Sequence, residues 1–182
     1  MQRALLAFMV ATSIAASAPD CLAAPPNTVS GRAVGEMIPS FPVLDVTGPH
    51  KGNSVCYVCE SKDAPLVLAF FRETGNETAS LVGKLNDLAK DQNLRVVAVM
   101  IEGPDSQPWL EKLAEENHIT IPLTVLRNGK HDVAIKLYKL NASVSNTILV
   151  SAKRKVTANF VNVKVQNFGR VTNAVSRVVG QK

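Results

Sequence analysis

Cysteine is scarce in this chain of 182 residues: Cys21, Cys56 and Cys59 are the only three. That excludes a disulfide-dense mini-protein and a four-cysteine zinc module. Aromatic residues make up 5% of the sequence, with two tyrosines and one tryptophan, too few to build a stacking platform for nucleic acid. Acidic residues are absent from Ser151 onward, where Lys153, Arg154, Lys155, Lys164, Arg170, Arg177 and Lys182 stand alone. The net charge of +5 is therefore concentrated at the C-terminal end. These cations are spread over a predicted strand and helix, so they read as a solvated face with no dedicated anionic partner. There are no internal repeats, no phosphate-binding glycine loop, no paired catalytic carboxylates and no Ser-His-Asp order.

What is present begins with an export signature. Arg3 supplies a positive start, Ala4 to Ala18 is an alanine-rich apolar run, and Cys21-Leu22-Ala23-Ala24 offers small residues to a peptidase. This is the three-part layout of a secretory signal peptide over residues 1–23. Cleavage after Ala24 would place Pro25 at the scissile bond, so cleavage after Ala23 is expected. The run is shorter than the roughly 20 residues a bilayer needs, and no later stretch is long and apolar enough to act as an integral membrane segment. Asp20 ahead of Cys21 argues against a lipoprotein. Residues 24–34 read as a flexible leader and 35–182 as one domain, since about 160 residues suit a single core. The expected location is outside the cytoplasm, periplasmic or secreted, where disulfides persist.

Along the domain, Phe41 to Val46 alternates like a short strand and Thr47-Gly48-Pro49 reads as a turn. Val55 to Cys59 is β-prone. Leu66 to Phe71 is an unbroken apolar run, as expected of a strand buried on both faces. Thr78 to Asp91 reads as a helix with Leu81, Leu85 and Leu88 inward, capped by Asn76 or Thr78. Leu94 to Ile101 is a second buried strand, and Gln107 to Asn117 a second helix. Ile119 to Leu126, interrupted by Pro122, is a third apolar stretch. Asp132 to Tyr138 is a short helix, Asn146 to Ser151 and Val156 to Val165 a hairpin, and Phe168 to Val179 an amphipathic closing helix. The order is α/β, with a parallel early part, right-handed crossovers and an antiparallel end.

The chemistry-bearing feature is Cys56-Tyr57-Val58-Cys59. With Cys21 lost in the signal peptide, these two could form one disulfide. So short a loop adds little stability. Two intervening residues are the spacing of a dithiol redox centre and of half a metal site. In an extended strand the two side chains would point apart, so bonding demands a turn or helical start at Tyr57-Val58. His50, Lys51 and Lys62 would lower a nearby thiol pKa and Glu60 would raise it. Glu60 also occupies the place where haem attachment needs histidine, and His50, His118 and His131 are too scattered for a zinc set. No metal and no cofactor is expected.

The element order, with Gly35-Glu36, the Asp45-x-x-Gly48 turn, the central Leu66–Phe71 strand and the Asn146–Val150 strand of the terminal pair, resembles the thioredoxin-like redoxin group of peroxiredoxins and exported thioredoxin-like reductases. The resemblance runs from about Gly35 to Val179. It implies a thioredoxin-like (redoxin) fold: a central mixed sheet flanked by helices. It also implies a reactive cysteine directly after the central strand, where this chain reads Arg72-Glu73-Thr74-Gly75-Asn76-Glu77-Thr78. A peroxidase of the usual type is therefore not expected. The family's cis-proline position falls near Ser145. Two readings follow. The first is an exported thiol–disulfide oxidoreductase, with Cys56 attacking by analogy and Cys59 resolving, acting as a monomer on a protein or small-thiol redox partner. The second is an inactive redoxin scaffold that binds a partner and keeps Cys56–Cys59 as a structural clip. An exposed pair favours the first and a buried pair the second.

Overall fold

A computed structural model describes residues 28–90 and 94–180. The expected signal peptide and the first part of the leader lie outside the described residues. A seven-stranded mixed sheet forms the centre, in the order β2-β1-β5-β4-β3-β6-β7. The strands are β1 (Val43–Asp45), β2 (Ser54–Val55), β3 (Leu66–Phe71), β4 (Arg95–Met100), β5 (Leu123–Val125), β6 (Asn146–Ala152) and β7 (Lys155–Val161). β3, β4 and β5 run parallel, while β6 is antiparallel to β3 and hairpins into β7. β1 pairs antiparallel with both β2 and β5, so the parallel pairing expected of the early part holds for β3, β4 and β5 only, while the expected antiparallel hairpin is present.

Every residue of β3 is buried, because helices cover both faces of the sheet. On one face Val67, Ala69 and Phe71 meet Leu81, Val82 and Leu85 of α2 (Asn76–Leu88), Leu110 and Leu113 of α3 (Gln107–Asn117), and Val171 and Val175 of α5 (Gly169–Val179). On the other, Leu66, Leu68 and Phe70 meet Tyr57 and Val58 of α1 (Tyr57–Ser61) and Ala134 of α4 (Val133–Leu137). Strand alternation thus divides one apolar run between two cores. No helix of the described residues is long and apolar enough to cross a membrane.

Three local expectations are corrected. Val55 to Cys59 is not a strand: only Ser54–Val55 pairs, and a helix starts at Tyr57. Neither Asn76 nor Thr78 caps α2. Gly75 takes the cap position at φ 131°, and the Thr78 hydroxyl instead donates to the Glu73 carbonyl at 2.7 Å. Finally, the described part of the leader is held down. Ser30 is buried and bonds Thr147 between hydroxyls at 2.7 Å. The Gly31 N–H donates to the Lys139 carbonyl at 3.0 Å, and the Asn159 amide donates to the carbonyls of Ser30 and Arg32. Further on, Gly35 and Glu36 exchange backbone bonds with Val156 along the outer edge of β7.

Candidate redox site

The site is built on α1, a single short helix between the edge hairpin and β3. Cys56 is its N-cap, with extended backbone, and the Cys59 N–H donates to Cys56 Sγ at 3.1 Å. A cysteine thus takes the role usually played by Ser, Asp or Asn. Asn53 and Ser54, the upstream residues able to cap a turn here, do not. The helical turn brings positions i and i+3 to one side. The Cα atoms of Cys56 and Cys59 lie 5.3 Å apart and their sulfurs are bonded, within the range a disulfide requires. The expected turn at Tyr57-Val58 is therefore present, as a helix.

Tyr57 and Val58 point inward, at 3% and 1% exposure, and anchor the helix. Cys59 faces solvent, while Cys56 is half-buried and packs against the core beneath α1. The main anchor lies across the edge hairpin. The Tyr57 hydroxyl donates to the Asp45 carboxylate at 2.6 Å, and the N–H groups of Gly48 and His50 donate to the same carboxylate at 2.8 Å each. Burial first, and then the Asp45 carboxylate, push the Tyr57 hydroxyl far above the ordinary tyrosine pKa. The sequence marks Asp45 only as part of the first strand and the opening of its turn. Its tie to Tyr57 depends on the fold bringing β1 against α1, which no local pattern announces.

The charges beside the pair are largely committed. Glu60 accepts from His50 Nε2 at 2.8 Å and from Arg95 at 2.6 Å, and Lys51 pairs with Glu111 at 2.9 Å. Of the cations expected to influence the thiols, His50 and Lys51 therefore face carboxylates. Arg95 was missed. It opens β4, 35 residues beyond Glu60, and also lies over the Tyr57 ring at 5.8 Å. His118 and His131 are exposed. Among the described residues no group of three or more His, Cys, Asp or Glu side chains could hold a metal ion.

The Glu60–Arg95 contact and the Lys62–Pro65 link carry α1 to the amino ends of β4 and β3. A cleft of about 700 Å³ opens there, lined by Tyr57, Glu60, Pro65, Arg95, Pro122 and Val179 among others. Arg72 to Gly75 lies beyond the carboxyl end of β3. Six strand residues separate the two ends, roughly 20 Å at 3.3 Å per residue. Arg72, Glu73, Glu102, Asp105 and Trp109 line a shallow depression at the carboxyl end, and it contains no cysteine. At Ser145, next to this depression, the carbonyl accepts from the Arg72 N–H at 3.0 Å.

No family model and no curated protein matches the chain. Solved structures do. An uncharacterized conserved protein from Geobacillus kaustophilus aligns at TM-score 0.66 and 17% identity, over 85% of this chain and 87% of that one. The thioredoxin domain of a thiol-disulfide oxidoreductase from Bacteroides vulgatus aligns at 0.60 and 16%, over 79% and 99%. The peroxidoxin BcpB of Mycobacterium tuberculosis aligns at 0.63 and 17%, over 82% and 97%. Sheet order, helix placement and these likenesses together give the chain the thioredoxin-like redoxin fold, with its cysteine pair on the helix that precedes the central strand.

Proposed function

We propose that the protein is an exported thiol–disulfide oxidoreductase of thioredoxin-like fold that works through Cys56 and Cys59. The observation that carries this reading is the geometry of α1: a bonded pair one helical turn apart, with Cys59 in solvent and a backbone N–H directed at Cys56 Sγ. A structural clip would gain nothing from exposure. In the exchange, an incoming thiolate bonds to one sulfur of the pair, the Cys56–Cys59 bond breaks, and its electron pair leaves on the other sulfur. A second thiol of the partner then displaces the mixed disulfide, leaving the pair reduced and the partner oxidised. The reverse sequence reduces a substrate disulfide. The N–H at Cys56 Sγ stabilises the thiolate form. Export is supported by the sequence layout of residues 1–23 and by a bonded pair suited to an oxidising compartment. The partner class is a protein or small thiol. The bonded pair supports no further ligand.

The test is equilibration of the protein in dithiol/disulfide buffers, with alkylation and mass-spectrometric readout. A reversible couple between about −270 and −120 mV is expected, as is loss of thiol-substrate reduction in Cys56→Ser. A pair that stays bonded throughout that range, or full activity in the variant, would overturn the proposal in favour of an inactive scaffold with a clip.

A further inference from the structure

We propose that exchange begins at Cys59 and that Cys56 is the sulfur released, the reverse of the order the family resemblance implies. This inference rests on the redox reading of the pair and adds the direction of entry.

Three observations carry it. First, access differs: Cys59 is exposed, whereas Cys56 is half-buried and packs against the core cluster that includes Tyr57 and Val58. Thiol–disulfide exchange requires the visitor's sulfur to contact the sulfur it attacks, so access selects the target. Second, the leaving side is prepared. The Cys59 N–H already donates to Cys56 Sγ at 3.1 Å, so a negative charge released onto Cys56 meets a donor without rearrangement. The donor is main chain, so it does not depend on either cysteine side chain. Third, the inner sulfur sits on a fixed base. Tyr57, the next residue, is held by Asp45 at 2.6 Å, and the Ser61 hydroxyl donates to the Tyr57 carbonyl at 2.8 Å.

The step balances as follows. An incoming thiolate RS⁻ forms a bond to Cys59 Sγ. The Cys56–Cys59 bond breaks, and its electron pair stays on Cys56 Sγ, which takes up a proton or remains a thiolate under the N–H. A second thiolate from the same partner displaces Cys59 and completes the oxidation of that partner. Run backwards, the Cys59 thiolate attacks a substrate disulfide and Cys56 resolves the mixed disulfide. The sulfur with a donor already in place is the better leaving group, and the exposed sulfur is the one a visitor can reach.

The experiment uses the full chain in a Cys21→Ser background, with Cys56→Ser and Cys59→Ser added singly and oxidised glutathione as the probe. Rates of mixed-disulfide formation are followed against pH. Well above the free-thiol pKa of about 8.5 both thiols are ionised, and the plateau rates report access together with the intrinsic nucleophilicity of each thiolate, both of which favour Cys59. The Cys56→Ser variant, whose thiol is Cys59, is expected to plateau about tenfold or more above Cys59→Ser. The Cys59→Ser profile should have its midpoint at lower pH, because the backbone donor to Cys56 persists. A second readout needs no variant at the pair: limiting alkylation of the reduced parent chain should label Cys59 before Cys56 in peptide maps. A faster plateau for Cys59→Ser, or first labelling at Cys56, overturns the entry order while leaving the redox reading intact. Failure of the parent chain to exchange reversibly with glutathione overturns the redox reading itself, whatever the labelling order.

Discussion

Tyr57 and Tyr138 are the only tyrosines in the chain, and both are buried, at 3% and 0% exposure. Burial is the largest cause pushing each hydroxyl well above its ordinary pKa, and at Tyr57 the Asp45 carboxylate adds to it. The consequence is an alkaline weakness that can be worked out. Below about pH 10 both phenols are protonated in the folded and unfolded states, so stability is complete. Above that value the unfolded chain releases its protons while the native protein keeps them. The unfolded state then binds fewer protons, and stability falls as pH rises, by roughly 1.4 kcal/mol per pH unit for each tyrosine. At about pH 11 the pair together removes roughly 2–3 kcal/mol, a large share of a typical 5–15 kcal/mol. Tyr57→Phe should cost about 1.5–3 kcal/mol near neutral pH through the lost bond to a carboxylate, yet flatten the alkaline fall by one tyrosine's share. The assay is urea unfolding of parent, Tyr57→Phe and Tyr138→Phe across the alkaline range, read as differences so that the lysine background cancels. Tyrosinate absorbance should rise only as the protein unfolds. A tyrosinate signal at about pH 10 in protein whose circular dichroism is still native, or parallel slopes for parent and Tyr57→Phe, would refute the reasoning.

Other outcomes follow from single contacts. In Gly48→Ala the new Cβ would stand 2.6–2.7 Å from both Asp45 carboxylate oxygens and the Tyr57 hydroxyl, so a loss of more than about 2 kcal/mol in urea unfolding is expected. Asn146 is buried at 5% exposure and bonds both the N–H and the carbonyl of Val163; Asn146→Ala should cost about 2–4 kcal/mol in the same assay. Glu60→Gln removes charge from contacts with His50 and Arg95, but these side chains are 35–39% exposed, so thermal melting should register less than about 1 kcal/mol. Lys153 and Arg154 both turn with positive φ, 51° and 59°, a conformation that favours Asn and Gly; Lys153→Asn should raise the melting temperature, by up to about 1 kcal/mol in stability. Reducing the disulfide should cost no more than about 2 kcal/mol, because the loop it closes is so short, and far-ultraviolet circular dichroism should remain native.

The fold was legible wherever burial acts locally. Leu66–Phe71 is apolar without interruption and Leu94–Ile101 is broken only by Arg95, because both sheet faces are covered, and Gln107–Asn117 shows its helix through Trp109, Leu110, Leu113 and Ala114. The bonded pair was legible too, since the spacing of Cys56 and Cys59 allowed it once a helical turn formed. The turn itself was not. Val55 to Cys59 carries β-prone residues, and the helix there depends on Asp45 holding Tyr57 from β1. Arg95 beside Glu60 and Ser30 beside Thr147 were hidden for the same reason. These partners are 35 and 117 residues apart, and only the closed sheet brings them together.

The bonds that Gly35 and Glu36 make with Val156, and Asn159 with Ser30 and Arg32, occupy polar groups along a border strand that would otherwise be open to another chain. The amino-terminal stretch that looks most dispensable in the sequence is thus a seal. Trimming the protein back to Ser40 would remove no sheet strand, yet would leave the margin of β7 bare and sticky, turning the domain into a seed for intermolecular strand addition.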